Sequence, residues 1–162
     1  MHDLLELSTH LPEVRFDVGH TIVREGEPGG GMWVLVDGAL EVRKAGVAVN
    51  TITQPGAVIG EISVLLGTTY GATVVATLPS VLRHAADGAA LLASHPDIAR
   101  FVAVGLAERL NFVTSYLADL KRQYGHAPGL AMVDEVPREL AVRQGPPARP
   151  GSVREPDPDV DS

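Results

Sequence analysis

Between Arg15 and His84 the apolar residues come in short, β-branched runs broken by glycine and proline, the pattern of antiparallel strands joined by turns rather than of helices. Strands are expected over 21–24, 32–36, 40–43, 47–52, 72–77 and 80–83, with alternation clearest around Trp33 and Leu35. Asp37-Gly38 falls between two of these runs and suits a tight hairpin turn, because glycine tolerates positive φ. The glycine-rich stretch from Glu25 to Gly31 has neither a strand-then-helix setting nor a Gly-Lys-Ser ending, so it reads as a wide turn and not as a phosphate cradle. An all-β roll or sandwich follows from this pattern.

Beyond His84 the period changes. Ser94-His95-Pro96-Asp97 offers a capping residue, a proline tolerated in a first turn and an acid near the positive end of a helix dipole, so a helix is expected to begin there. Ala99, Ala103, Leu106, Leu110, Val113, Leu117, Leu120 and Tyr124 then recur at alternating spacings of four and three, the 3.5-residue period of a coiled-coil seam. A helix over 97–124 is on the order of 40 Å long, more than a small roll can cover alone. Leu106, Leu110, Val113, Leu117 and Leu120 are therefore the expected interface of a homodimer, although an amphipathic helix lying on its own domain has the same periodicity. After Gly125, seven of the twelve prolines fall among scattered charges and few large apolar groups, a composition that buries too little surface to offset chain entropy. The expected organisation is a β-roll with a short N-terminal helical segment over 1–93, a long helix over 94–124 and a proline-rich acidic tail, largely disordered, over 125–162.

Charge and composition narrow the functional classes. Thirteen basic residues against 20 acidic ones leave a net charge of −7, which opposes contact with nucleic acid or anionic membrane. The absence of cysteine excludes disulfides, thiolate-held clusters and cysteine nucleophiles. No run approaches a membrane-spanning length and the N-terminus has no secretory pattern, so a cytoplasmic protein is expected. The six histidines show no metal-ligand spacing, and no catalytic triad order, paired carboxylates or HExxH stands out, so neither a metal site nor an enzyme is expected.

The segment that carries chemistry runs from Gly60-Glu61-Ile62-Ser63 through Tyr70-Gly71-Ala72-Thr73 to Ala76. It resembles the phosphate-binding cassette of cyclic nucleotide-binding domains, the sensor domain of catabolite activator-type proteins. Three preceding blocks, Thr21–Glu27, Met32–Gly38 and Gly56–Glu61, resemble that family in their usual order. The resemblance covers about residues 4–124 and is closest from Arg15 to Ala76. It implies a mainly β fold, a double-stranded β-helix or jelly roll with flanking helices, followed by a long C-terminal helix. It also implies that Glu61 accepts from a ribose hydroxyl, that backbone N–H groups of Ile62 and Ser63 meet a cyclic phosphate, and that Gly71, Ala72 and Thr73 border the nucleotide. The regulatory ligand it points to is cyclic AMP or cyclic GMP.

One departure controls what can be expected. Where the family places an arginine that pairs the phosphate, this chain has Tyr70, and no lysine or arginine lies between Gly56 and Leu82. A phenol is neutral at physiological pH and offers one donor in place of a charged bidentate fork. Losing one partner of a buried charge pair costs about 2 to 5 kcal/mol, or roughly 30-fold to several-thousand-fold in affinity. Three outcomes stay open: weak cyclic nucleotide binding through Glu61, Ser63 and backbone; a less anionic ligand; or a vestigial pocket filled by Tyr70 in a ligand-independent dimeric interaction module that recruits another protein. The family's transcription factors carry a helix-turn-helix after the long helix, and 125–162 lacks the length and periodicity for one, so no direct nucleic acid contact is expected.

Overall fold

The computed structural model describes residues 3–124. The expected tail falls outside these residues. Contacts divide the chain into two units, Met1–Ala107 and Glu108–Ser162.

The first unit opens with α1 (Leu4–Leu7), capped by the Asp3 carboxylate on the amide of Glu6 at 2.9 Å. Eight strands follow: β1 (Glu13–Phe16), β2 (Thr21–Val23), β3 (Met32–Asp37), β4 (Leu40–Lys44), β5 (Val47–Ile52), β6 (Val58–Ile59), β7 (Thr73–Ala76) and β8 (Ser80–Ala85). α2 (Glu61–Leu66) sits between β6 and β7, and α3 (Gly88–Ser94) and α4 (Pro96–Tyr124) follow β8. The strands form two four-stranded antiparallel sheets, in the orders β1-β8-β3-β6 and β2-β7-β4-β5. This is the expected jelly roll with flanking helices.

Both faces of β3 are apolar, and strand alternation sends them to different cores. Leu35 joins Val23, Leu40, Ile59, Val74, Ala76 and Leu82 in the core of the roll, with Trp33 packed at its side. Met32 and Val34 face outward and meet Leu4, Leu91, Ile98 and Val102 from the helices. The roll is thus closed by one cluster and its helices are held on by another.

At two places the chain departs from the local pattern expected of it. Asp37-Gly38 is not a hairpin turn, because β3 and β4 belong to different sheets and the chain crosses between them there. Gly38 has φ of 115°, and a side chain on it would meet Ser80, whose hydroxyl accepts from the amide of Ala39 at 3.2 Å. The tight hairpin lies instead at Ala45-Gly46, both at positive φ (51° and 78°), between the paired strands β4 and β5. Ser94 does not cap the long helix either. It ends α3, and its hydroxyl donates back to Ala90 O at 2.7 Å, while α4 starts at Pro96 with the His95 carbonyl accepting from Ala99.

Within the first unit α4 buries Ile98 and Val102 and packs Phe101 and Leu106 against the helix-side cluster. The expected seam positions Ala99 and Ala103 are not the ones that bury. In the second unit the described residues continue α4 from Glu108, with Leu110 and Val113 exposed and Leu117 and Leu120 half-buried. Phe112 is 72% exposed. No single helix among the described residues is long and apolar enough to cross a membrane.

Candidate functional site

The cassette is built around two glycines at positive φ. Gly60, at φ 91°, turns the chain from β6 into α2, and a Cβ on it would lie 2.5 Å from Gly31 O. Gly67, at φ 66°, ends α2 and donates to Ser63 O. Between them Glu61 and Ser63 are buried, at 5% and 4% exposure, whereas Ile62 turns outward and is exposed. A carboxylate at the first position of a helix is favoured there by the free amides and the dipole. The Ser63 hydroxyl donates to Gly60 O at 2.9 Å, which leaves its lone pairs as acceptors.

Tyr70 is turned into the roll. Its ring packs against the inter-sheet core cluster and lies beside Gly60, and its hydroxyl donates to Gly31 O at 3.1 Å. Its backbone is held as firmly, donating to Glu27 O at 3.0 Å and accepting from Gly26 N at 2.9 Å. The loop Gly26–Gly31, read from sequence as a turn, is therefore the inner wall against which Tyr70 is seated. Bare backbone at Gly31 makes the seat possible: a Cβ there would approach the Tyr70 hydroxyl to 3.1 Å and His84 Nε2 to 3.3 Å.

The remaining sequence-expected residues lead into the strand that follows, Gly71 and Ala72 just before β7 and Thr73 at its start. Gly71 O accepts from Lys44 Nζ at 2.9 Å, Ala72 is half-buried, and the Thr73 hydroxyl accepts from Glu25 N at 2.9 Å. Thr73 thus ties β7 to the end of β2. Gly60, Glu61, Ser63 and Tyr70 gather at one end of the roll, where Trp33 stacks on His84 with ring centroids 3.8 Å apart. Burial lowers the pKa of His84 from its ordinary value.

A cavity of about 380 Å³ opens beside this cluster, lined by Pro28, Gly29, Gly30, Ser63, Val64, Gly67, Thr68, Thr69, Asp87 and Ala89. No cation lines it, and its one charged residue, Asp87, uses its carboxylate to cap α3 through Ala90 N. Its walls suit hydroxyl and amide contacts better than a bare phosphate. Among the described residues no group of three histidine or acidic side chains is placed to hold a metal ion.

Sequence reasoning missed Gly31 and His84 as neighbours of the cassette, and it left open whether Lys44, on another strand, points toward it. The glycine run was the visible signal for the first; nothing in the linear chain marked the second.

Known proteins resemble this chain. The family model for the cyclic nucleotide-binding domain matches residues 13–91. Over 72 residues the chain is 39% identical to a cAMP-dependent protein kinase regulatory subunit of Yarrowia lipolytica, covering 44% of this chain and 19% of that protein. Over 73 residues it is 33% identical to a cGMP-dependent protein kinase of Caenorhabditis elegans, covering 45% of this chain and 9% of that protein. The chain spans a fifth or less of the length of these curated relatives. Among solved structures, the catabolite activator protein of Thermus thermophilus aligns with a TM-score of 0.59 at 22% identity, over 88% of this chain and 86% of that one. The N-terminal domain of a transcriptional regulator from Streptomyces coelicolor aligns at 0.53 and 23% identity, over 69% and 82%. At such identities these two alignments speak for the fold.

Proposed function

Because the roll at residues 13–91 belongs to the cyclic nucleotide-binding domain family, we propose that this chain is a regulatory domain that binds a cyclic nucleotide weakly, with Tyr70 as a built-in competitor for the pocket. The relatives whose names include cAMP- and cGMP-dependence make those two nucleotides the first ligands to try. The observation that carries the reading is the contrast within one cassette. Glu61 and Ser63 are buried at the start of α2 where a ribose and phosphate would be met, while the neutral Tyr70 stands in the arginine's place and is seated on Gly31. A nucleotide then has to displace the tyrosine, and its apparent affinity falls by the fraction of molecules in which the pocket is open.

Its role is regulation rather than catalysis, in the cytoplasm, as a homodimer through α4. Ligand binding acts on α4 only in so far as the ligand prefers one of two helix arrangements. Tyr70→Arg is expected to strengthen cyclic AMP binding at least tenfold by calorimetry. An unchanged heat of titration, with no binding at millimolar ligand, sinks the sensor reading.

A second reading is supported by the depth of the Tyr70 contacts: a ligand-independent dimeric module whose pocket is permanently filled and which recruits another protein. Thermal shift separates the two, since a melting temperature that rises with cyclic AMP or cyclic GMP requires binding to the folded state.

A further inference from the structure

The cassette lacks its own cation, yet one reaches it from a neighbouring strand. Of the five basic residues between 13 and 91, Arg24 pairs with Glu27, Arg43 with Glu41 and Arg83 with Glu13, and Arg15 is exposed on β1. Lys44 has no carboxylate partner among the described residues; its ammonium is held by the Gly71 carbonyl at 2.9 Å, one residue from Tyr70. Position follows from register. Leu40 and Val42 of β4 pack into the core of the roll, and β4 pairs with β7 without a break from Leu40↔Ala76 to Arg43↔Thr73. Alternation puts Lys44 on the same side of β4 as Leu40 and Val42, two residues on, where the strand ends and the side chain is exposed. Glu41, the nearest acid along the chain, is paired with Arg43, and Glu25 spends one carboxylate oxygen on Ala45 N at 2.9 Å.

We propose that Lys44 supplies the positive charge for a ligand's phosphate that position 70 does not provide. Lysine suits this task because its ammonium is a point charge on a flexible stem, able to exchange one carbonyl for an anion. As it approaches from β4 and not from the cassette, Lys44 does not depend on where the Tyr70 ring goes when a ligand enters. The proposal rests on the nucleotide-binding reading above and assigns it a residue outside the cassette.

The test is calorimetry with cyclic AMP on the full chain in the Tyr70→Ala background, where the competitor is removed, at about 50 and about 500 mM salt. Lys44→Gln is expected to weaken binding about tenfold at low salt and to flatten the salt dependence, and Lys44→Arg to retain both. Lys44 is exposed and outside both cores, so a matching melting temperature establishes that the variants are folded. Binding that is unchanged in Lys44→Gln overturns the role of Lys44 and leaves the nucleotide reading standing. No binding in wild type, Tyr70→Ala or Tyr70→Arg overturns that reading and this assignment together.

Discussion

Tyr70 donates from both its amide and its phenol, to Glu27 O and to Gly31 O, so main chain and side chain are anchored to the same glycine-rich loop. Tyr70→Phe removes the second bond and leaves the ring's packing; a net loss of about 1 kcal/mol in unfolding free energy is expected from denaturant titration. Nearby, His84 makes stability depend on pH. Its pKa is lowered by burial, so the unfolded chain takes up a proton before the folded one does. The stabilising effect of its neutral form is full above the ordinary histidine value near 6.5 and is lost as pH falls through that value toward the lower folded one. Melting temperature should therefore drop between about pH 7.5 and pH 5.5, with a shallower slope in His84→Phe; equal slopes would remove His84 as the cause. Glu61, Ser63 and Tyr70 were legible in the sequence because they lie on one short stretch whose order carries the resemblance. Gly31, Lys44 and His84 meet that stretch only through strand pairing, with separations along the chain such as the 27 residues between Lys44 and Gly71.

At the level of elements, α4 does two separate things along its 29 residues. Its first turns bury Ile98 and Val102, which are 1% and 4% exposed, whereas Leu110 further along is 53% exposed. Ile98→Ala is accordingly expected to cost about 2 to 5 kcal/mol of stability without altering mass by light scattering. Leu110→Glu should do the reverse, halving the mass of the proposed dimer with little change in the fold. The 3.5-residue period picked out the second stripe and hid the first, because Ile98, Phe101 and Val102 fall between its positions. α3 escaped notice for a different reason: seven residues of Gly-Ala-Ala-Leu-Leu-Ala-Ser are too short for periodicity to register. Its first residue, Gly88, is fixed by space, as a Cβ would come within 2.7 Å of Val64 and 2.9 Å of Met32. The strands were the most readable elements, since β-branched runs and turn residues are local signals. Their distribution between sheets was not, and the hairpin expected at Asp37-Gly38 turned out to be a crossing.

For the molecule as a whole, association and ligand binding both favour the folded state, so melting temperature should rise with protein concentration if the exposed stripe of α4 joins two copies. A melting temperature independent of concentration over a hundredfold range argues for a monomer. The strand order has a further effect, on time rather than energy. β1 pairs with β8, so Glu13 finds its partner Arg83 across 70 intervening steps of the chain, and β8 must also be present before β1 and β3 are joined in one sheet. During synthesis the first strand therefore waits, unpaired, until Ser80–Ala85 has been made. That edge of the sheet closes last, and refolding in the slow, millisecond-to-second range of non-local β topologies is the expected outcome of that order.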